Sequence, residues 1–158
     1  MVLPECRSSR TTFDEMIIPI SVKELSVAGK SFKWVHPSCC SGCGNSKVWG
    51  HGFVRKYFEG FANGVFLKRY RCPACRKVVT AYPDNYWRRY QSSKFEIASI
   101  LKHRLNHKAW PRGSPRQRAG HWLRKLTSFL KLHFGMGVCL SPELIDWLCE
   151  KNLPFLSV

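Results

Sequence analysis

Hydrophobic and polar residues alternate in the middle of the chain in a way that predicts β-strands. Residues 47–58 and 65–71 are rich in aromatic and β-branched side chains, which favour an extended backbone. In the second run, the odd-numbered side chains from Val65 to Arg71 fall on one face of a strand and the even-numbered ones on the other. The dipeptide Asn63-Gly64 predicts the turn between these two strands, and residues 77–81 predict a third strand.

A different spacing follows, in which apolar residues recur every three or four positions. This spacing predicts a helix that begins after a cap at Ser92 or Ser93 and ends near His107. The basic residues of the helix, Lys94 and Lys102 among them, are expected to face solvent. Its apolar face is predicted to consist of Phe95, Ile97, Ala98, Ile100, Leu101 and Leu105.

Two further helices are predicted by their start and stop signals. Ser114 followed by Pro115 is typical of a capped helix start. Gly135 is placed to end that helix. A third, acidic helix is predicted to begin at Ser141-Pro142 and to run to about residue 152.

These elements predict an α+β fold, in which a three-stranded antiparallel β-sheet is followed by a basic segment of three helices. The breaks between the helices are longer than the turn of about three or four residues in a helix-turn-helix, so a tight motif of that kind is not expected. Four regions are predicted, namely an N-terminal extension packed on the sheet (1–38), the sheet region (39–83), the basic helical region (84–140) and a short acidic helix and tail (141–158).

The basic residues are concentrated in the central part of the chain. The 158 residues include 26 Lys and Arg against 10 Asp and Glu, a net charge of +16. Ten basic and two acidic residues lie in 47–91, and ten and one lie in 92–140. Because the neutralisation of phosphates releases condensed counterions, nucleic acid is the expected partner, with double-stranded DNA favoured over RNA. A solvated basic surface that only keeps the protein soluble is the alternative.

The candidate nucleic-acid contacts lie on the predicted strands and in the helical region. Arg112, Arg116 and Arg118 lie near the start of the second helix, where the helix dipole favours a phosphate. Arg88 and Arg89 are flanked by aromatic residues, which indicates either phosphate contact beside an aromatic surface or a hinge that packs the sheet on the helices. The full set is Arg55, Lys56, Lys68, Arg69, Arg71, Arg88, Arg89, Arg112, Arg116, Arg118, Arg124 and Lys125.

Four cysteines form two pairs with two residues inside each pair. Cys40 and Cys43 form the first, Cys72 and Cys75 form the second, and 28 residues separate them. A gap of two residues lets both sulfurs of a tight turn face one metal ion, and four sulfurs match the tetrahedral preference of Zn²⁺. Together with the strands, the pairs have the layout of a zinc ribbon. One structural zinc is therefore predicted, and an iron centre is less favoured because nothing indicates electron transfer.

The first pair has two competing ligands. Cys39 precedes Cys40 and His36 is close to it, but only Cys40 keeps the two-residue gap. Disulfides are not expected in a cytosolic chain. The other thiols have no partner at ligand spacing and are interpreted as core or idle residues: Cys6, Cys139 and Cys149.

The stretch from residue 40 to residue 95 resembles the bacterial zinc-ribbon modules that are encoded in insertion sequences and transposons. The similar residues are the first cysteine pair, His51-Gly52 near the start of the hairpin, and the segments 69–75 and 81–84. The resemblance implies helices of helix-turn-helix type after the ribbon and binding to DNA at element ends or target sites. It implies an accessory or recognition factor of a mobile element.

An enzyme is not expected from this sequence. A metal-dependent strand-transfer centre needs several carboxylates to hold its cations, and the ten acidic residues show no cluster. No apolar run approaches the ~20 residues of a membrane span, and the first residues do not form a secretion signal. These features predict an intracellular protein, and the resemblance implies a cytoplasmic, nucleoid-associated protein of a bacterium.

Two other functions stay open. The first is an RNA-binding zinc protein in which aromatic side chains stack on unpaired bases. The second is an assembly adaptor that joins a larger nucleoprotein machine through the ribbon and the acidic tail, where Trp147, Phe155 and Leu156 are expected to be exposed. The aromatic residues considered for stacking are Trp49, Phe53, Tyr57 and the pair Trp87 and Tyr90.

Overall fold

The chain forms two units, each with a core of its own. The structure, a computed structural model, describes residues 15–151 except residues 136 and 138. The division between the units lies between Asp84 and Asn85. Within the described residues, the strands belong to the first unit and the three longest helices to the second.

A mixed β-sheet of four strands, in the order β1-β4-β3-β2, dominates the first unit. β2, β3 and β4 pair in antiparallel fashion, and β1 adds to the edge parallel to β4. The α+β class is confirmed, but the prediction of three strands was incomplete, because four residues are too few to show an alternating pattern. The strands are β1 (Glu15–Ile18), β2 (Trp49–Phe58), β3 (Phe61–Arg71) and β4 (Val78–Pro83).

The turn between β2 and β3 lies at Glu59-Gly60, and the prediction of a turn at Asn63-Gly64 was wrong. Gly60 has a φ of 82° and supplies the positive φ that the tight turn needs. Gly64 lies inside β3 with a φ of 68°, beside an irregularity in the pairing of the two strands. An Asn-Gly pair suits a β-bulge as well as a turn, because both need a positive φ.

The chain that precedes β2 packs on the sheet. Helix α1 (Val22–Ala28) contacts β3, and its Leu25 is fully buried. Further along, the Tyr70 hydroxyl of β3 donates a hydrogen bond to the Val35 carbonyl at 3.0 Å. These contacts hold the segment before the first cysteine pair against the sheet.

The second unit consists of three helices around an apolar core. Helix α2 (Lys94–His107) contacts both α3 (Arg116–Phe134) and α4 (Pro142–Glu150). Lys102 of α2 donates a hydrogen bond to Asp146 of α4 at 2.7 Å, so the acidic helix packs on a basic one. The core includes Trp87, Ile97, Leu101, Trp122, Leu126, Ile145 and Leu148.

One of the two predicted helix caps is present, and Ser141 caps the third helix at its predicted start. The hydroxyls of Ser93 and Ser141 each accept a hydrogen bond from the backbone N–H three residues later, at 3.2 and 3.3 Å. The Ser114 hydroxyl instead donates to the Pro111 carbonyl at 2.8 Å. Pro115 occupies the cap position of α3, so the predicted Ser114 cap was wrong because that hydroxyl belongs to the preceding turn.

Two residues at the start of α2 differ from the prediction. Phe95 is 84% exposed, whereas Lys94 is buried with its Nζ 5.8 Å from the centre of the Trp87 ring. The predicted apolar face was too wide, because Phe95 and Ile100 project about 140° apart on a helix of 3.6 residues per turn. Ile100 is buried together with Ile97, Ala98 and Leu101, and this leaves Phe95 in solvent.

The connections between the helices are long. Residues 108–115 join α2 to α3, and residues 135–141 join α3 to α4. Both exceed the turn of about three or four residues in a tight helix-turn-helix. Gly135 ends α3 as predicted, while α4 ends at Glu150. No helix in the described part of the chain has the length and apolar character that a membrane crossing requires.

Candidate metal centre and basic surfaces

Two tight turns of similar backbone geometry carry the four cysteines of the predicted metal site. The Cys40 N–H donates to the Asn45 carbonyl at 2.8 Å, and the Cys72 N–H donates to the Lys77 carbonyl at 2.9 Å. The first turn precedes β2 and the second joins β3 to β4. Because the start of β2 pairs with the end of β3, the hairpin brings the two turns side by side.

The four sulfurs lie within 4.8 Å of one another. The Cys40–Cys75 and Cys43–Cys72 sulfur pairs are each 3.6 Å apart, and both pairs link one turn to the other. Zn–S bonds of about 2.3 Å in a tetrahedral site place sulfurs about 3.8 Å apart, whereas a disulfide needs about 2.05 Å. The group can therefore hold one metal ion, and a set of four sulfurs is one that zinc favours.

The electrostatics of the thiols also favour a cation. The Cys75 N–H donates to the Cys72 sulfur and lowers the pKa of that thiol to about 7. The Lys77 N–H lowers the pKa of the Cys75 thiol, but partial desolvation and three neighbouring sulfurs outweigh it and raise this pKa to about 12. Four thiolates at these distances repel one another, so a positive charge between them is needed to ionise all four.

The competing ligands at the first pair lie outside the sulfur group. Cys40 supplies its sulfur from a buried position. Cys39 supplies none because it is disulfide-bonded, so the expectation of a chain without disulfides was wrong at this residue. The His36 ring packs edge-to-face on Tyr70 with 5.2 Å between the ring centres. Cys6 lies outside the described residues. The two cysteines of the helical unit, which also take no part, are Cys139 and Cys149.

The predicted nucleic-acid contacts of the sheet unit are divided between two opposite faces of the β2–β3 hairpin. Arg55 and Lys68 lie on one face. Lys56 lies on the other, which by strand alternation also carries Arg69 and Arg71. These five cations therefore form two surfaces and not one.

One of these faces holds its cations over aromatic rings. We call the surface of Phe53, Arg55, Phe66 and Lys68 the hairpin face. The Lys68 Nζ lies 4.5 Å from the centre of the Phe53 ring. Arg55 and Lys30 lie 5.1 and 4.8 Å from the centre of the Phe66 ring. Cation–π attraction of this kind restrains the positions of the charged groups.

Three predicted contacts of the helical unit, Arg89, Arg118 and Lys125, line one cavity of about 390 Å³. We call it the α3 cavity. Arg89 comes from the segment before α2, and the other two come from α3. Further lining residues are Tyr90, His121 and Trp122.

The other predicted contacts of this unit do not line the cavity. Trp87 is buried in the core, so the aromatic surface expected beside Arg88 and Arg89 is absent on that side. The remaining cations, exposed except for the half-buried Arg88, are Arg88, Arg112, Arg116 and Arg124.

Two members of these surfaces were not predicted from the sequence. Lys30 joins the hairpin face from a short turn far away along the chain, and no local pattern indicates this contact. His121 lines the α3 cavity. Its position three residues after Arg118 and four before Lys125 places it on the same side of the helix, and this spacing is a signal that could have identified it.

No protein-family model matches this chain, and no significantly similar curated protein or solved structure was found. The resemblance to ribbon modules of mobile elements therefore stays a prediction from the sequence. The structure has two features that bear on function. One is a four-cysteine group that can hold one metal ion, and the other is the cationic surface of each unit.

Proposed function

We propose that this protein is a zinc-ribbon DNA-binding protein and an accessory or recognition factor of a bacterial mobile element. The ribbon assignment is supported by two cysteine turns that join an antiparallel arrangement of β2, β3 and β4. The net charge of +16 supports a polyanionic partner. The role in a mobile element rests on the sequence resemblance, and action on DNA in the bacterial cytoplasm follows from it.

Zinc has a structural role in this proposal. Four thiolates fill a tetrahedral coordination shell and leave no open position for a substrate or a reactive water, which supports a protein without catalytic activity. Small sheets of few strands have little stability of their own. The metal therefore stabilises the hairpin and the surfaces that it presents.

The observation that carries the proposal is the hairpin face. Lys30, Arg55 and Lys68 are held over two phenylalanine rings on a hairpin that the metal site closes at one end. Within residues 15–151, none of the three forms an ion pair with an acidic residue. Fixed and uncompensated cations on a rigid strand pair are suited to contact successive phosphates.

Salt-dependent binding of the zinc-loaded full chain to random-sequence duplex DNA tests the proposal. The logarithm of affinity should fall linearly with the logarithm of salt concentration. Arg55→Gln and Lys68→Gln should each weaken binding and reduce that slope by about one. A flat affinity from low to moderate salt would rule out the proposal.

Lys23→Gln is the matched control for these variants. Lys23 is an exposed lysine of α1 and is not part of the hairpin face. The Lys23→Gln variant loses the same charge as Lys68→Gln, so a general effect of net charge on binding would appear in both variants. A reduction in slope confined to the hairpin-face variants indicates specific phosphate contacts.

RNA binding is the second candidate, favoured by two exposed aromatic side chains on β2. Trp49 is 58% exposed and Tyr57 is 53% exposed, and such rings can stack on unpaired bases. Trp87 is buried and is not available for this role. Competition between duplex DNA and single-stranded RNA of matched length distinguishes the candidates, and failure to bind either would favour the adaptor.

A further inference from the structure

The α3 cavity brings together positive charges from two parts of the helical unit. Arg118, His121, Trp122 and Lys125 follow one another at steps of three, one and three residues along α3. Residues at this spacing lie on one side of a helix. Arg89, from the segment that precedes α2, belongs to the same lining.

Two lining residues of the cavity, Arg118 and Trp122, contact each other. Trp122 is buried in the core of the unit, and the Arg118 guanidinium lies 5.5 Å from the centre of its ring. The cation–π contact restrains the guanidinium, so that less side-chain freedom is lost when it meets an anion.

The segment before α2 has an unusual backbone at one of the residues that line the cavity. Arg89 has a φ of 68°, a left-handed conformation that is sterically unfavourable for an L-residue with a Cβ. Conformations of this kind persist where the surroundings enforce them and are frequent at ligand sites. Here the conformation belongs to the residue that adds a third permanent cation to the cavity lining.

The chemistry of the lining suits a phosphate. Arg89, Arg118 and Lys125 supply the positive charge, and the lining also includes the polar residues Tyr90 and Gln91. None of the lining residues is acidic. The volume of about 390 Å³ exceeds that of a phosphate alone and admits the attached sugar as well.

We propose that the α3 cavity binds a phosphate of the nucleic-acid backbone, held by Arg89, Arg118 and Lys125. That the phosphate belongs to a nucleic acid depends on the proposed function, whereas the existence of an anion site depends only on the residues that line the cavity. Charge-assisted hydrogen bonds from two guanidinium groups and one ammonium group hold the phosphate oxygens.

Duplex-DNA affinity of cavity variants in the zinc-loaded full chain tests this site. Lys125→Gln and Arg89→Gly should each weaken binding about tenfold, the usual effect of losing a hydrogen bond to a charged group. Glycine adopts the left-handed conformation without strain, so the Arg89 variant removes the guanidinium and keeps the fold. Lys131→Gln is the matched control, because Lys131 is an exposed lysine of the same helix outside the cavity.

Equal weakening by Lys125→Gln and Lys131→Gln would overturn the proposed site and leave DNA binding by the protein intact. A second measurement does not depend on DNA. Pyrophosphate at constant ionic strength should produce saturable NMR shifts at the Trp122 indole N–H and at His121, and Lys125→Gln should reduce them. Absence of these shifts overturns the site, whereas their presence in a protein that fails to bind DNA supports the site and rejects the proposed function.

Discussion

Gly44 and Arg76 occupy equivalent positions in the two cysteine turns, and both have a left-handed backbone, with φ values of 72° and 61°. Each directly follows the second cysteine of its pair. This conformation turns the chain back, so that the N–H of the first cysteine reaches the carbonyl five residues later. One turn uses the residue that adopts a positive φ without steric cost, and the other imposes it on an arginine.

The equivalence predicts opposite outcomes for two substitutions. A Cβ at Gly44 meets no atom within 4 Å, so Gly44→Ala should impose only the cost of a left-handed backbone and weaken zinc binding about tenfold. Arg76→Gly removes that cost and should bind zinc at least as tightly as the unsubstituted chain. Competition with a chelator of known zinc affinity measures both. Weaker binding by Arg76→Gly would show that the two turns are not equivalent.

Loss of one cysteine of the group should unfold the sheet unit and leave the helical unit folded. Cys72→Ser removes a buried ligand and should abolish stoichiometric zinc, because a metal site with three thiolates is incomplete. Amide NMR signals of β2, β3 and β4 should lose their chemical-shift dispersion, while those of the helical unit should stay unchanged. Metal analysis should give one zinc per chain for the unsubstituted protein and less than one for Cys72→Ser.

Cys139→Ser provides the control for this experiment. Cys139 is exposed and belongs to the helical unit. The variant should keep its zinc and both sets of signals. Loss of zinc from this variant would contradict the assignment of the metal ligands.

Zinc affinity should fall as pH falls, and more steeply below pH 7 than above it. A thiol must release its proton to bind zinc. With a pKa of about 7, Cys72 is already a thiolate at pH 8 but must lose a proton at pH 6. Cys75, with a pKa of about 12, must lose one throughout this range. Chelator competition at pH 6, 7 and 8 measures the slope, and an equal slope at both ends would contradict these pKa values.

The bulge in β3 should be required for the hairpin face. A Cβ at Gly64 would lie 2.9 Å from the Arg55 Cγ and 3.2 Å from the Lys56 carbonyl oxygen. Gly64→Ala should therefore displace Arg55 and weaken DNA binding, in addition to the cost of about 1–2 kcal/mol for its positive φ.

Gly60→Ala distinguishes the displacement of Arg55 from the cost of a positive φ. Gly60 has a φ of 82°, and a Cβ there meets no atom within 4 Å. This variant should lose thermal stability but keep its DNA affinity once folded. Equal DNA affinities of the two variants, measured below their melting temperatures, would show that the position of Arg55 is unimportant.

Local patterns predicted most of the elements but not all of their ends. The alternation that ends at Arg71 and the cap at Ser93 are properties of neighbouring residues, and the structure has both. The same local signals failed at Ser114 and at Asn63-Gly64, where each suits two conformations. The contacts made by the rest of the chain decide between the conformations in such cases.

The sequence by itself determined the α+β class, the three antiparallel strands, the three main helices and the four cysteines that come together. These features depend on spacings of a few residues, which set the side of a strand or helix on which each side chain lies. Only the tertiary structure decided that β1 joins the sheet, that Lys30 lies over Phe66, and that Arg89 and Arg118 line the same cavity. Such contacts connect residues far apart in sequence, and packing of the whole unit determines their proximity.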